Sequence, residues 1–263
     1  MGEVPVVGLR GVRKAYASGA DALAGVDLAV APGEFVSLLG PSGCGKTTLL
    51  NIVAGLVAPT AGTVRWWGGG LDETGAPGRR MGYVFQSPTL MPWARVDANV
   101  RLALDLAGVP RADAQPRVDD ALRQVGLERH AHHVPRELSG GMQMRASIAR
   151  ALVTNPDLLL MDEPFGALDE FTRHRLDADL RALWRSRGLT VLFVTHSIAE
   201  AAFLSTRIVV MGAAPGRVIA DVRHDAGEPR DASFRTSPAF VACCARLSQA
   251  IDDAGRAALD ASR

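Results

Sequence analysis

The chain has 263 residues, with 29 Lys plus Arg against 28 Asp plus Glu and 48% apolar residues, a profile that excludes disordered and fibrous classes. Its length suits one large or two small domains around a sizeable core, and a net charge of +1 does not by itself imply a nucleic-acid or acidic partner. No stretch approaches the roughly 18 apolar residues of a spanning helix, and Met1 to Arg10 lacks the marks of a secretory signal, so cytosolic residence is expected. Cys44, Cys243 and Cys244 form an odd set, read as reduced free thiols.

Taken in chain order, Leu9, Val12 and Tyr16, then Leu23, Val26, Leu28 and Val30, predict short antiparallel strands, broken at Ser18 to Asp21 and closed by Pro32-Gly33. Phe35 to Leu39 predicts a buried strand running into the glycine loop Gly40 to Gly45, and Lys46 to Val57 has helical spacing up to Pro59. A strand is predicted at Met81 to Phe85, a mostly helical stretch at Ala94 to Gly126, and buried strands at Leu158 to Met161 and Val191 to Thr195. The pattern is an α/β core with a helical insertion. From Asp221 onward, turn signals at Gly227 to Pro229 precede a helical end around Phe240 to Leu259, expected to be partly mobile at Ala258 to Arg263, where an exposed terminus frays.

Gly40-Pro41-Ser42-Gly43-Cys44-Gly45-Lys46-Thr47 spaces two glycines around four residues and then supplies Lys and Thr, between a strand and a helix. The glycines allow positive-φ turns that point backbone N–H groups inward, and the helix N-terminus adds partial positive charge. A triphosphate fits such a cradle. Lys46 offers an ammonium to its β- and γ-phosphates and Thr47 a hydroxyl to Mg²⁺.

Leu158-Leu159-Leu160-Met161-Asp162-Glu163 ends a buried apolar strand in two carboxylates, which is costly unless they are used. Asp162 suits a Mg²⁺ ligand acting through water, and Glu163 a general base for the attacking water. Leu138-Ser139-Gly140-Gly141-Met142-Gln143 opens a helix after Pro135. There Ser139 is either a plain N-cap or, with the free N–H groups of Gly140 and Gly141, part of a second anion site.

In combination these motifs resemble the nucleotide-binding subunit of ABC transporters, from Val6 to about Val222. Gln86 matches that family's Q-loop, Ala167-Leu168-Asp169 its D-loop, His196 its switch histidine, and Tyr16 its adenine-stacking aromatic. The resemblance implies a P-loop NTPase (ABC ATPase) α/β core with an antiparallel β subdomain and a helical subdomain. The implied ATP-binding domain is 1–222, with the helical part inserted at about 87–150, followed by a C-terminal helical tail at 223–263. It implies ATP hydrolysis with catalytic roles for Glu163, His196 and Lys46. ATP contacts would come from Tyr16, Gly40, Pro41, Ser42, Gly43, Cys44, Gly45, Lys46, Thr47, Thr48, Gln86, Ser139, Gly140, Gly141 and Asp169, and Mg²⁺ would be held by Thr47, Gln86 and Asp162. Two such chains would sandwich two MgATP head to tail.

A lone nucleotide-binding chain without membrane segments resembles importers. The stretches Phe85 to Trp93, His196 to Ala201 and Ala214 to Val218 resemble the nitrate, sulfonate and taurine branch. The expected partners are a second copy and an integral membrane permease touching Leu90, Met91 and Trp93, which could equally cap the helical insertion's own core. A solute-binding protein would be an indirect partner, nucleic acid none, and the location the cytoplasmic face of the cell membrane. Met142, Met144 and Ala146 depart from commoner residues of the family, and Thr206 replaces an Asp expected to pair with the next Arg. A soluble ABC ATPase acting on nucleic acid or ribosomes is the alternative. It is disfavoured by a single nucleotide unit with no sustained heptads or metal-spaced Cys and His. A small-molecule kinase leaves Ser139 and Ala167 to Asp169 unexplained.

Overall fold

The computed structural model describes residues 4–17, 19–212 and 215–261, with side chains described as far as 253; Ser18, Ala214, Ser262 and Arg263, which the expectations above touch, lie outside the described residues. In chain order the elements are β1 (Val7–Ala15), β2 (Asp21–Val30), β3 (Phe35–Leu39), α1 (Lys46–Val53), β4 (Ala61–Trp66) and β5 (Met81–Val84). Then come α2 (Val96–Leu106), α3 (Arg111–Gln124), α4 (Gly140–Leu152), β6 (Leu158–Asp162) and α5 (Glu170–Arg187). The last are β7 (Thr190–Thr195), α6 (Ile198–Leu204), β8 (Arg207–Gly212), β9 (Arg217–Arg223) and α7 (Pro238–Ala261).

These elements divide into two compact units, one running to Thr74 and resuming at Gly188, the other spanning Gly75–Arg187. In the first unit, β1 pairs antiparallel with both β2 and β4; Val26, Leu28 and Val30 of β2 alternate with period 2, and Leu9 and Val12 of β1 are buried on either side of a register shift. Beside it β3 runs parallel to β7 and β8, with Phe35 opposite Val191 and Val36 opposite Arg207, while β9 closes the edge antiparallel to β8. β3 and β7 are buried along their whole length, which is why they read as near-continuous apolar runs, broken in β3 only by Ser37. Their Phe35 and Phe193 rings sit 5.9 Å apart.

In the second unit β5 and β6 form a parallel pair. Its helices bury a separate core in which Val96, Val100 and Leu104 of α2 meet Val118 and Leu122 of α3 and Ala149 of α4. The departures Met144 and Ala146 are both buried in this unit, so their apolar character serves packing.

Three expectations need correction. Helix α1 ends at Val53, short of Val57, because Gly55 turns the chain at φ 72° and the Trp66 indole donates to the Val53 carbonyl at 2.7 Å. Strands β4 and β9 were not anticipated; β4 is a largely exposed edge and β9 a partly exposed one, so neither carries the run of fully buried positions that marks an inner strand. Thr206 does not weaken the pairing of Arg207, which finds Asp221 at 2.6 Å and Glu34 at 3.4 Å. The hydrogen bonding that Arg207 donates to the Asp221 carboxylate is the main force raising its pKa.

Candidate functional site

The glycine loop leaves β3 at Gly40 and enters α1 at Lys46. Gly43 at φ 79° and Gly45 at φ 91° take the left-handed conformations the turn needs. A side chain at Gly45 would also lie 2.6 Å from the Ala22 carbonyl oxygen, and one at Gly40 would lie 2.5 Å from that of Met211. The loop is thus seated tightly between the β2 entrance and β8. Lys46 is 4% exposed, and its ammonium donates to the carbonyls of Gly40 at 2.8 Å and Pro41 at 2.9 Å. The same turn therefore fixes both the inward backbone and the cation. Pro41, Ser42, Gly43 and Thr47 are exposed along it, while Cys44 is buried and forms no disulfide.

A residue pattern that sequence reasoning used only as a branch mark supports this loop. Gly216 exchanges backbone hydrogen bonds with Ala22 and Ala24, and a side chain there would meet the Cys44 carbonyl oxygen at 2.3 Å. Its lack of a Cβ lets the chain press against the loop, a signal legible only once the long-range approach is known. Tyr16, just past β1, is 42% exposed, with its hydroxyl 3.4 Å from the Thr48 hydroxyl of α1 and the Lys14 ammonium 5.2 Å above its ring. The structure therefore brings Tyr16 and Thr48 together beside the loop.

His196 stands exposed after β7, and the residues around it are tied together. The Thr195 hydroxyl donates to the buried Glu200 carboxylate and accepts from the Ser197 N–H at 2.9 Å, while the Ser197 hydroxyl accepts from the Glu200 N–H at 3.3 Å. Sequence reasoning missed Thr195 and Glu200, although Ser197 followed three residues later by Glu200 is a helix-start signature.

In the second unit, Asp162 ends β6 at 8% exposed and Glu163 follows at φ 42°, a left-handed conformation uncommon for a residue with a side chain. Burial first, and then the Asp162 charge, push the Tyr83 hydroxyl pKa well above its usual value. Ser139 caps α4, accepting from the Met142 N–H at 3.3 Å, and Gln143 donates back to the Pro135 and Leu138 carbonyls. Gly141 approaches α5 so closely that a side chain would lie 2.7 Å from the Thr172 methyl group. Asp169 is exposed and accepts from the Thr172 N–H at 2.9 Å; that bond, then the Thr172 hydroxyl, hold its carboxyl below the usual range.

Gln86 is exposed beyond β5, and the segment after it is braced rather than loose. Arg150 donates to the Pro88 and Thr89 carbonyls and to the Thr89 hydroxyl, and Asn99 exchanges hydrogen bonds with Met91. Of the three residues expected to face a permease, Leu90 packs on the helical core, Met91 is half-buried and Trp93 is 79% exposed.

The donors expected for Mg²⁺, namely the Thr47 hydroxyl, the Gln86 amide oxygen and the Asp162 carboxylate, are hard oxygen ligands of the kind that ion takes. Among the described residues no group of three or more His, Cys, Asp or Glu could hold a metal unaided.

A protein-family model described as ABC transporter matches residues 23–166. The chain belongs to the ABC transporter family. It is 47% identical to an uncharacterized ABC transporter ATP-binding protein of Methanocaldococcus jannaschii over 84% of this chain and 80% of that one. It is 48% identical to the taurine import ATP-binding protein TauB of Rhizobium johnstonii over 79% of this chain and 80% of that one. Among solved structures it resembles cbiO1 of Clostridium perfringens, part of the cbiONQ ABC transporter complex, with TM-score 0.75 and 28% identity over 84% of this chain and 89% of that one. It also resembles the ATP-binding cassette MJ0796, seen as a dimer bound to ADP and Pi, with TM-score 0.71 and 36% identity over 82% of this chain and 98% of that one. The fold is thus that of an ABC ATPase, and the chain is an ATP-binding, ATP-hydrolysing subunit like those of importers in the nitrate, sulfonate and taurine branch. Among the described residues no helix is long and apolar enough to cross a membrane.

Proposed function

We propose that this chain hydrolyses ATP to drive uptake of a small anionic solute, such as an aliphatic sulfonate, taurine or nitrate, through a separate permease. The observation that carries this reading is the 42–48% identity to proteins named for taurine import. In it, residues 1–222 form the ATP-binding domain with a helical subdomain at about 87–150, and 223–263 form the tail. The subunit sits peripherally at the cytoplasmic face of the cell membrane. It works as a pair with a second copy and contacts no nucleic acid, and a solute-binding protein acts on the permease from the other side.

Residues Gly40 to Thr48 receive the triphosphate, with the Lys46 ammonium exchanging the Gly40 and Pro41 carbonyls for phosphate oxygens and Tyr16 stacking on adenine. Thr47, Gln86 and Asp162 would hold Mg²⁺, which would supply positive charge to offset that of the phosphates. Glu163 takes a proton from the water whose oxygen attacks the γ-phosphorus; the bond to the bridging oxygen breaks and ADP departs with that electron pair. His196 orients the γ-phosphate end. Ser139, Gly140, Gly141 and Asp169 serve the nucleotide of the second copy, so ATP draws the pair together and hydrolysis releases it. Trp93, with Leu90 and Met91, meets the permease.

Growth of a strain lacking the gene on single sulfur and nitrogen sources tests the cargo. Selective loss on sulfonates, taurine or nitrate, restored by wild type and not by Glu163→Gln, is expected. Normal growth on every source, in a background with no second importer, would refute the branch and leave the ATPase.

A further inference from the structure

The tail beyond β9 reaches back to the helix that follows His196. Helix α6 ends at Leu204, where the last carbonyls of a helix call for partners from outside it. Arg230, itself 6% exposed, supplies them: one guanidinium nitrogen donates to the carbonyls of Phe203 at 3.0 Å, Ser205 at 2.8 Å and Ala202 at 3.4 Å. Its other terminal nitrogen donates to the His224 carbonyl at 3.0 Å. The His224 ring adds a bond to the Ala202 carbonyl at 2.9 Å, with Nε2 as the donor because a carbonyl only accepts.

The aromatic side chains of this region make the cap a rigid one. Arg230 lies 5.2 Å over the Phe234 ring, Arg235 lies 4.0 Å over Phe203, and Phe240 of α7 meets Phe234 edge-on at 5.6 Å. A cation at a helix C-terminus opposes the helix dipole, and burial keeps water from competing for the same carbonyls. At the far end of the same seven-residue helix, Glu200, Thr195 and Ser197 form a hydrogen-bonded ring from residues on either side of His196 in the chain. Ser205, whose carbonyl Arg230 holds, also bonds through its hydroxyl to Ser37 of β3, the strand that leads into the phosphate loop. The helix is therefore gripped at both ends, and one grip belongs to the tail.

The geometry assigns Arg230 as a positioning residue for His196: the tail fixes α6, and α6 fixes the histidine that faces the γ-phosphate. This rests on the role given to His196 above. The tail is then an internal brace of the ATPase.

The test is steady-state hydrolysis by the full-length chain carrying Arg230→Gln, Arg230→Lys, His196→Ala, or His196→Ala combined with Arg230→Gln. Arg230→Gln is expected to lower kcat about 10-fold with the KM for ATP changed less than about 2-fold, since the phosphate loop is untouched. Arg230→Lys, which keeps the cation at the helix end, recovers most of that loss. In the His196→Ala background the Arg230→Gln change lowers kcat by less than about 2-fold further, because its effect travels through the histidine. The same fold-loss in both backgrounds, or a rise in KM at unchanged kcat, would overturn the proposal. If Arg230→Gln fails to fold, Arg230→Lys alone decides: it is expected to lower kcat at least about 2-fold in wild type and not in His196→Ala, and equal losses refute positioning. Wild-type kcat in His196→Ala alone would instead sink the histidine's role, a separate outcome.

Discussion

The phosphate loop and the segment after β5 are both exposed turns beside a strand, yet they are built for opposite kinds of recognition. In the loop at residues 40–47 the working surface is backbone, fixed by positive-φ glycines and by close approaches that leave no room for a Cβ at Gly40, Gly45 or Gly216. In the segment at residues 85–94 the backbone is pinned from behind by Arg150 and Asn99, Leu90 packs inward, and the Trp93 side chain is exposed. A polyanion is gripped by many fixed dipoles, whereas a protein partner is gripped by a few large apolar anchors.

Substitutions that respect one design should break the other. The largest effect is expected from Lys46→Ala, which removes the only ammonium within the loop and should weaken ATP binding about 100-fold or more, read by fluorescent-nucleotide titration; affinity like that of wild type would remove Lys46 from the site. Gly45→Ala keeps the charge but forces a side chain to φ 91° and against the Ala22 carbonyl, at a strain of roughly 1–3 kcal/mol. Nucleotide affinity and melting temperature should fall together, and a variant as stable as wild type would show that the loop is less tightly seated.

Across the comparison, Trp93→Ala should leave ATP affinity and stability intact while reducing capture of the permease, since a side chain 79% exposed contributes little to the fold. Leu90→Ala, by contrast, should lower stability by roughly 1–2 kcal/mol, because Leu90 packs on the helical core. An unaffected pull-down with Trp93→Ala would remove it as an anchor. The smallest effect belongs to Tyr16→Ala, expected to weaken ATP binding about 5-fold through lost stacking, and unchanged affinity would leave Tyr16 as a hairpin residue only.

The same contrast explains what the amino-acid sequence discloses. The loop was legible because backbone geometry dictates glycine spacing, and β3, β6 and β7 were legible because burial along their length favours near-continuous apolar runs. Strands β4 and β9 were not, since a partly solvated edge imposes no such pattern. Contacts between distant positions also escaped. Gly216 reads as an ordinary turn glycine until Cys44 is seen beneath it, and Arg230 reads as a surface charge until α6, more than 20 residues earlier, presents its last carbonyls. Leu90, Met91 and Trp93 looked alike in sequence, and only packing separates the half-buried pair from the exposed tryptophan.

The most direct test of the account is ATP hydrolysis by purified Glu163→Gln, measured alongside nucleotide binding. The account predicts ATP bound with near wild-type affinity, hydrolysis slowed by about 10²- to 10³-fold, and accumulation of a closed pair of chains. Hydrolysis at the wild-type rate would contradict it.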